Sequence, residues 1–401
     1  MKILHVDETF HPSYGYHTNP LARFQRRQGH AVTIVTVEKR WIYPVYKEFG
    51  IDDATLEKED HRYEEETGVK IIRVPARGYF MRRLVFCKEL FDIVEQQEPD
   101  VVYVHCVETI TAMRFLLRKK KYPMMFDSHM LAMASGNRFA KIYEFVYRKT
   151  FAKIINHNKY WVIRTQDDDY VNSHMGVSEE LTPFISFGTD TLLFQPSNEV
   201  RAQFRKENNI PEDSLVVVYT GKLTPAKGGK MLAETFNKKF ECDKDITLVV
   251  VGTPQDNEYG REVLKLLSTS ENRVCMFPTQ PYLDLAKFYQ AADLSVFPRQ
   301  CSMSFYDAQA CGLPVLSEDN NVNVDRCSHG NGMNFKSEDA SDFCRKIIEF
   351  ANLSDFERNK MRQAALQFID NGYSYKMIAD EYTSYLKDAI CAFKASERKK
   401  N

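Results

Sequence analysis

The residues best suited to chemistry sit in two short loops of the C-terminal half. In Val216-Val217-Val218-Tyr219-Thr220-Gly221-Lys222-Leu223-Thr224-Pro225-Ala226-Lys227-Gly228-Gly229 a β-branched run stops at a glycine and a lysine follows at once. A second lysine then precedes a glycine pair that opens a helix. Two ammonium groups beside a helix N-terminus suit a multiply charged anion such as a diphosphate. At an effective dielectric near 20, each charge pair about 4 Å apart is worth on the order of 4 kcal/mol before desolvation. Two solvated lysines around a turn would use the same residue types; the placement of the glycines tips the reading toward the anion site. The loop lacks the Gly-x-x-x-x-Gly-Lys-Ser/Thr pattern, whose lysine is followed by a magnesium-binding hydroxyl.

The second loop is Phe297-Pro298-Arg299-Gln300-Cys301-Ser302-Met303-Ser304-Phe305-Tyr306-Asp307, continuing to Gly312-Leu313-Pro314. A strand should end at Pro298, and a short helix should carry Asp307. The amides around Ser302, Met303, Ser304 and Phe305 are placed to meet phosphate or sugar oxygens, and Asp307 to accept from ribose hydroxyls. The plainer alternative has Asp307 decorating a surface helix.

Both loops need strands to present them. Short β-branched runs alternate with amphipathic stretches along the 401 residues, which predicts parallel sheets with crossover helices. Expected strands in the first half are 2–6, 31–36, 70–74, 100–105, 124–127, 160–164 and 183–186; 40–66 reads as a long loop or inserted hairpin. The second series is 214–220, 246–251, 273–277, 293–297 and 313–316. Polar residues and Pro196 break the pattern, giving domains 1–195 and 196–373. A helix from 374, carrying Tyr375, Ile378, Tyr382, Leu386 and Ala389 at helical spacing, is expected to return to the first domain, with a frayed polar tail. The fold class is α/β: two doubly wound domains facing a cleft at the carboxyl ends of their strands.

Composition excludes several classes. Hydrophobic residues are 43% and charged residues 27%, a globular profile, and a net charge of −1 offers no field for nucleic acid. The apolar run of Met1–Asp7 is too short for a secretory signal, and no stretch reaches the roughly 18 residues needed to span a bilayer. Nine scattered cysteines without a Cys-x-x-Cys pair predict reduced thiols in a cytosolic protein.

With these segments in hand, the chain resembles the family-4 retaining glycosyltransferases of the GT-B fold over nearly its whole length. The resemblance rests on Met1–Val6, Pro12-Ser13-Tyr14-Gly15, Gln28–Thr36, Pro99–His105, Phe187–Pro196, Gly221-Lys222-Leu223 with Lys227-Gly228, Val251-Gly252, and Ala310–Val315 in this order. It implies that Lys222 and Lys227, with Gly221, bind the donor diphosphate, that Gly15 lets backbone approach the donor phosphate, and that His129 touches the donor sugar. His105 is a second, more structural candidate. The family carries two glutamates at the positions of Arg299 and Asp307. Asp307 keeps a carboxylate on a shorter arm. Arg299 inverts the charge, so that role does not carry over; its guanidinium would pair with phosphate, with an acidic group on the sugar or acceptor, or with a nearby carboxylate.

The expected activity is transfer of a sugar from a nucleoside-diphosphate sugar, a UDP-sugar first and a GDP-sugar second. The acceptor would be a glycan, a lipid-linked glycan or a small molecule, as in cell-surface polysaccharide biosynthesis, with retention and without metal or cofactor. A non-catalytic nucleotide- or glycan-binding partner protein is the alternative, favoured by Arg299, and a nucleotide-sugar epimerase is a weaker third. Two basic, aromatic stretches, 79–86 and 114–122, would suit peripheral contact with an anionic membrane; as ordinary amphipathic helices with solvated lysines they would need none.

Overall fold

The computed structural model describes residues 1–41, 53–80, 83–119, 121–130, 139–299 and 302–398. Met81, Arg82 and Lys120 of the basic stretches, Gln300 and Cys301 of the second loop, part of segment 40–66, and the last three residues of the tail lie outside them. The described residues form two units: one from residues before Gly188 together with the C-terminal helix from Tyr375, the other Gly188–Ser374.

The first unit is built on β1 (Lys2–Val6), β2 (Ala31–Val37), β3 (Lys70–Val74), a hairpin of β4 (Ala76–Phe80) and β5 (Arg83–Phe86), β6 (Val101–Val104), β7 (Met124–Ser128) and β8 (Val162–Arg164). Its six-stranded sheet is ordered β3-β2-β1-β6-β7-β8, parallel throughout. The second unit carries β9 (Leu215–Thr220), β10 (Ile246–Val251), β11 (Arg273–Phe277), β12 (Leu294–Phe297), β13 (Val315–Glu318) and β14 (Gly332–Phe335), ordered β11-β10-β9-β12-β13-β14 and again parallel. Each sheet reverses direction beside its own first strand, the doubly wound arrangement of a Rossmann-like domain. The strands are near-continuous runs of Val, Ile and Leu because both faces are covered: all six residues of β9 and of β10 are buried.

The helix Tyr375–Arg398 packs Tyr375, Ile378, Ala379, Tyr382, Leu386 and Ala389 into the first unit's core with Ile3, Leu21, Phe24, Tyr103 and Met125. Four expectations need correction. Segment 40–66 is not a loop throughout: 42–52 lie outside the described residues, and among the rest of the segment Leu56–Thr67 is a helix. It buries only Leu56 and Tyr63, two turns apart; His61–Glu65 and Arg62–Glu66 pairs support it, and Arg73 grips Asp60 at 2.5 and 2.7 Å. The described residues of stretch 79–86 lie in the antiparallel strands β4 and β5, so the amphipathic-helix reading fails for them. Segment 183–186 makes a single bridge, Arg164 to Phe184, since Pro183 has no N–H for a ladder. β14 is an additional strand whose sequence, Gly-Met-Asn-Phe, has no β-branched residue to announce it. The eight described cysteines are free thiols, and among the described residues no helix is long and apolar enough to cross a membrane.

Candidate functional site

In the second unit β9 and β12 meet at the point where strand order reverses, and the two loops singled out in the sequence leave their carboxyl ends. Gly221 continues from β9 with φ +147° and donates its N–H to the Val251 carbonyl at 3.0 Å. The contact requires glycine on the neighbouring strand too, because a Cβ on Gly252 would lie 2.0 Å from the Gly221 oxygen. The Tyr219 hydroxyl then ties down the Lys222 carbonyl at 2.5 Å. A short 3-10 turn, Pro225–Lys227, closes with Lys227 and Gly229 N–H both donating to the Thr224 carbonyl at 3.1 Å. Gly228 follows at φ +74°, and a Cβ there would meet Pro298 Cβ at 2.8 Å and Arg299 N at 3.3 Å. The Lys227-Gly228 corner therefore rests directly on the end of β12, and the two loops form one surface. Lys222 and Lys227 are both half-buried. The helix Gly229–Asn237 starts here, though its Lys230 amide is already taken by the Tyr259 hydroxyl at 2.8 Å.

Arg299 has a carboxylate partner: its guanidinium pairs with Glu338, which sits in the left-handed region at φ +62°. Asp307 corrects the surface-helix alternative. It is 5% exposed and accepts the Thr189 hydroxyl at 2.7 Å. Burial pushes its carboxyl up to about 7, Asp190 adding to the effect against hydrogen bonds from Thr189 and Tyr282. A ribose contact would require exchange of the Thr189 bond. The loop amides are only partly available. Ser304 N–H is 3.3 Å from Ser302 Oγ and Phe305 N–H is 3.3 Å from the Ser302 carbonyl, while Met303 immediately precedes the helix Ser304–Ala310. Arg326 braces this loop, bonding the Ser302 carbonyl and lying 4.8 Å from the Tyr306 ring centre.

The first unit concentrates its polar groups at the carboxyl ends of β1, β6 and β7. Asp127, fully buried in β7, accepts from the Tyr103 hydroxyl at 2.5 Å, His105 Nδ1 at 2.8 Å and the Cys106 amide at 2.6 Å. Cys106 reaches it by turning left-handed, φ +59°. Burial alone would raise the Asp127 carboxyl, but His129 and His105 outweigh it and hold it well below the carboxylate range. His129 follows β7 with its side chain 30% exposed and Nε2 3.4 Å from Asp127 Oδ2. Burial opposes its protonation, yet Asp127, with Glu108 and Asp7 behind it, holds its pKa above the ordinary imidazole value. The rings of His17 and Phe187 stand edge-on to it at 5.8 and 5.2 Å between centres. Gly15 lies half-buried in the irregular segment before the helix Thr18–Arg27.

Asp127, His17, His5, Gln25, Glu8 and Glu108 were not singled out as site residues from the sequence. Glu8 accepts from Thr111 at 2.5 Å and burial pushes it up to about 7; burial raises Glu108 as well. The available signal was chemical: histidine and aspartate in otherwise apolar strands, as in Ile3-Leu4-His5-Val6 and Met124-Met125-Phe126-Asp127. Ligand atoms of His105, Asp127 and His129 lie within 4.8 Å of one another, the spacing of a metal trio. Both Asp127 oxygens already accept hydrogen bonds, from Tyr103, His105 and the Cys106 amide, which a metal would have to displace.

A model of the Glycosyl transferase 4-like domain matches residues 14–154, and one of Glycosyl transferases group 1 matches residues 200–368. The chain is 27% identical over 213 residues to a lipopolysaccharide 1,2-N-acetylglucosaminetransferase of Salmonella typhimurium, a match covering 50% of this chain and 55% of that protein. It is 32% identical over 139 residues to a D-inositol 3-phosphate glycosyltransferase of Segniliparus rotundus, covering 32% of this chain and 30% of the relative. These matches thus span about half or less of the relatives' length. In fold the chain is similar to Anabaena HepE, solved in complex with UDP and glucose: TM-score 0.70 at 17% identity, covering 97% of this chain and 100% of that one.

Proposed function

Since the chain belongs to the group 1 glycosyltransferases, we propose that it transfers a sugar from a nucleoside-diphosphate sugar, a UDP-sugar before a GDP-sugar. The observation that carries this reading is the packing of Gly228 onto Pro298 and Arg299, which joins the dilysine loop to the second loop at the strand-order reversal. Lys222 and Lys227 hold the diphosphate. As the anomeric bond breaks, negative charge grows on the departing nucleoside diphosphate, and cations fixed in advance stabilise that state more than the ground state. Gly221 and Gly15 let backbone approach the donor, and the Ser302–Ser304 loop borders it. Arg299 joins only by exchanging Glu338 for phosphate or an acidic sugar.

We assign His129 to the donor sugar, presenting Nδ1 because Nε2 faces Asp127. The reaction proceeds with retention and needs no metal. A glycan, lipid-linked or small-molecule acceptor is taken up by the first unit, at the cytoplasmic side. Phe80 and Leu117, exposed within the two basic stretches, support peripheral contact with an anionic membrane when the acceptor is a lipid. The test is nucleotide release from UDP-sugars with and without acceptors. Acceptor-dependent UDP formation is expected, and tight UDP binding with no turnover on any sugar would favour the non-catalytic partner that Arg299 otherwise suggests.

A further inference from the structure

We propose that the helix Ala140–Lys149 is an in-plane anchor that lays its outward face in the headgroup region of an anionic bilayer. The proposal rests on the reading of peripheral membrane contact given above and assigns that reading its inserting element.

Two tyrosines fix which way the helix faces. Tyr143 and Tyr147 are four residues apart and so share one side. Their hydroxyls donate to the Glu108 and Val107 carbonyls at 2.9 and 3.0 Å, and Tyr147 is the buried residue of the helix. The remaining large apolar side chains are left outside. Ile142 is 65% and Phe145 63% exposed, and Val146 and the preceding Phe139 are exposed as well. A surface helix ordinarily turns such a stripe toward a core. Lone exposed apolar residues are common, but these four within 139–146 make a patch.

The rim of the patch is cationic. Lys141, Lys149 and, from the next helix Phe151–Asn158, Lys153 are exposed, and the Lys149 ammonium lies 5.9 Å from the Phe145 ring centre. Glu144 is the only acid in 139–159 and is already engaged, accepting the Tyr170 hydroxyl at 2.7 Å with His174 at 3.4 Å. Apolar side chains set among long-armed lysines suit a helix lying in a membrane interface, with the ammonium groups at the lipid phosphates. The Arg83 guanidinium stands 5.7 Å from the Tyr143 ring centre, which joins the helix to the strand pair carrying exposed Phe80.

Charge selects the bilayer over a second copy of the chain. A two-fold contact would lay the patch against itself and bring the lysines toward their own counterparts, with Glu144 already taken. An anionic lipid surface meets all three.

Flotation of the full-length protein with phosphatidylcholine vesicles, with and without phosphatidylglycerol, tests this. The wild type should float with the anionic vesicles and be released at about 1 M salt, where the Debye length is about 3 Å. Ile142→Glu/Phe145→Glu should weaken binding roughly 100-fold, and glutamine at Lys141, Lys149 and Lys153 about fivefold per lysine. All five side chains are exposed, so melting temperature should not change. Phe80→Glu/Leu117→Glu separates this proposal from the broader reading. If that variant alone loses the vesicles and Ile142→Glu/Phe145→Glu floats like the wild type, membrane contact stands and the anchor is overturned. If the wild type floats with neither vesicle, both fall. A dimeric wild type that Ile142→Glu/Phe145→Glu makes monomeric in sedimentation would show a subunit contact and also overturn the anchor. Should the glutamate variant not fold, Phe145→Trp decides: its added emission should shift to the blue on anionic vesicles, and no shift refutes the proposal.

Discussion

At the strand-order reversal of the first sheet, His5, His105 and Asp127 turn their polar atoms on one another. At the same point of the second sheet, Gly221, Lys222 and Lys227 form a loop whose cations stay half-buried. The strand order is the same in both units, so the contrast comes from a few side chains at equivalent strand ends. A buried network is satisfied internally and its loss is felt as stability. On the proposed reading the loop of glycines presents its half-buried cations to an external anion, and its loss should be felt as affinity and rate.

That contrast can be broken in several places. The largest effect is expected from Asp127→Ala, which strands the Tyr103 hydroxyl, His105 and the Cys106 amide; equilibrium urea unfolding should show a loss of about 3–5 kcal/mol. Lys222→Ala should behave oppositely, lowering turnover roughly 10²–10³-fold while leaving the unfolding midpoint in place. Should the lysine variant unfold early, or the aspartate variant stay as stable as the wild type, the division between the units is wrong. Gly228→Ala blurs it deliberately. The left-handed backbone and the 2.8 Å approach to Pro298 should cost about 1–3 kcal/mol and push Lys227 off its support, weakening UDP binding as well.

Asp307 sharpens the comparison through pH. Its carboxyl sits at about 7 in the folded chain against an ordinary 3.8, so the folded state holds an extra proton between those values. Stability is full below about pH 4 and declines as pH rises through 7. In melting curves recorded across the interval, Asp307→Asn should remove its share of that slope, while Glu8 maintains a parallel slope from the first unit. The smallest expected effect is that of a chelator, which should leave turnover unchanged; a large loss would revive the His105–Asp127–His129 trio as a metal centre.

Legibility in the sequence followed the physics of each element. β9 and β10 stood out because strands covered on both faces must be apolar along their length. The dilysine loop stood out because glycine and lysine at a strand end are rare enough to carry meaning together. The helix Leu56–Thr67 escaped because ion pairs and two buried residues hold it, leaving almost no apolar period to read. Asp307 shows the limit for single residues: nothing around it in the chain announces Thr189, 118 positions away, which turns it inward. The histidine network was equally hidden, since its members come from a helix and three strand ends brought together only by the parallel sheet. Arg299 was flagged by its charge, but its partner Glu338 lies 39 residues on and only the fold could supply it.

Calorimetric titration of UDP and UMP into the wild type and into the Lys222→Ala, Lys227→Ala double variant tests the diphosphate site most directly. The wild type should bind UDP far more tightly than UMP, and the double variant should bind the two nearly alike. An undiminished preference for UDP after both lysines are gone would contradict the account.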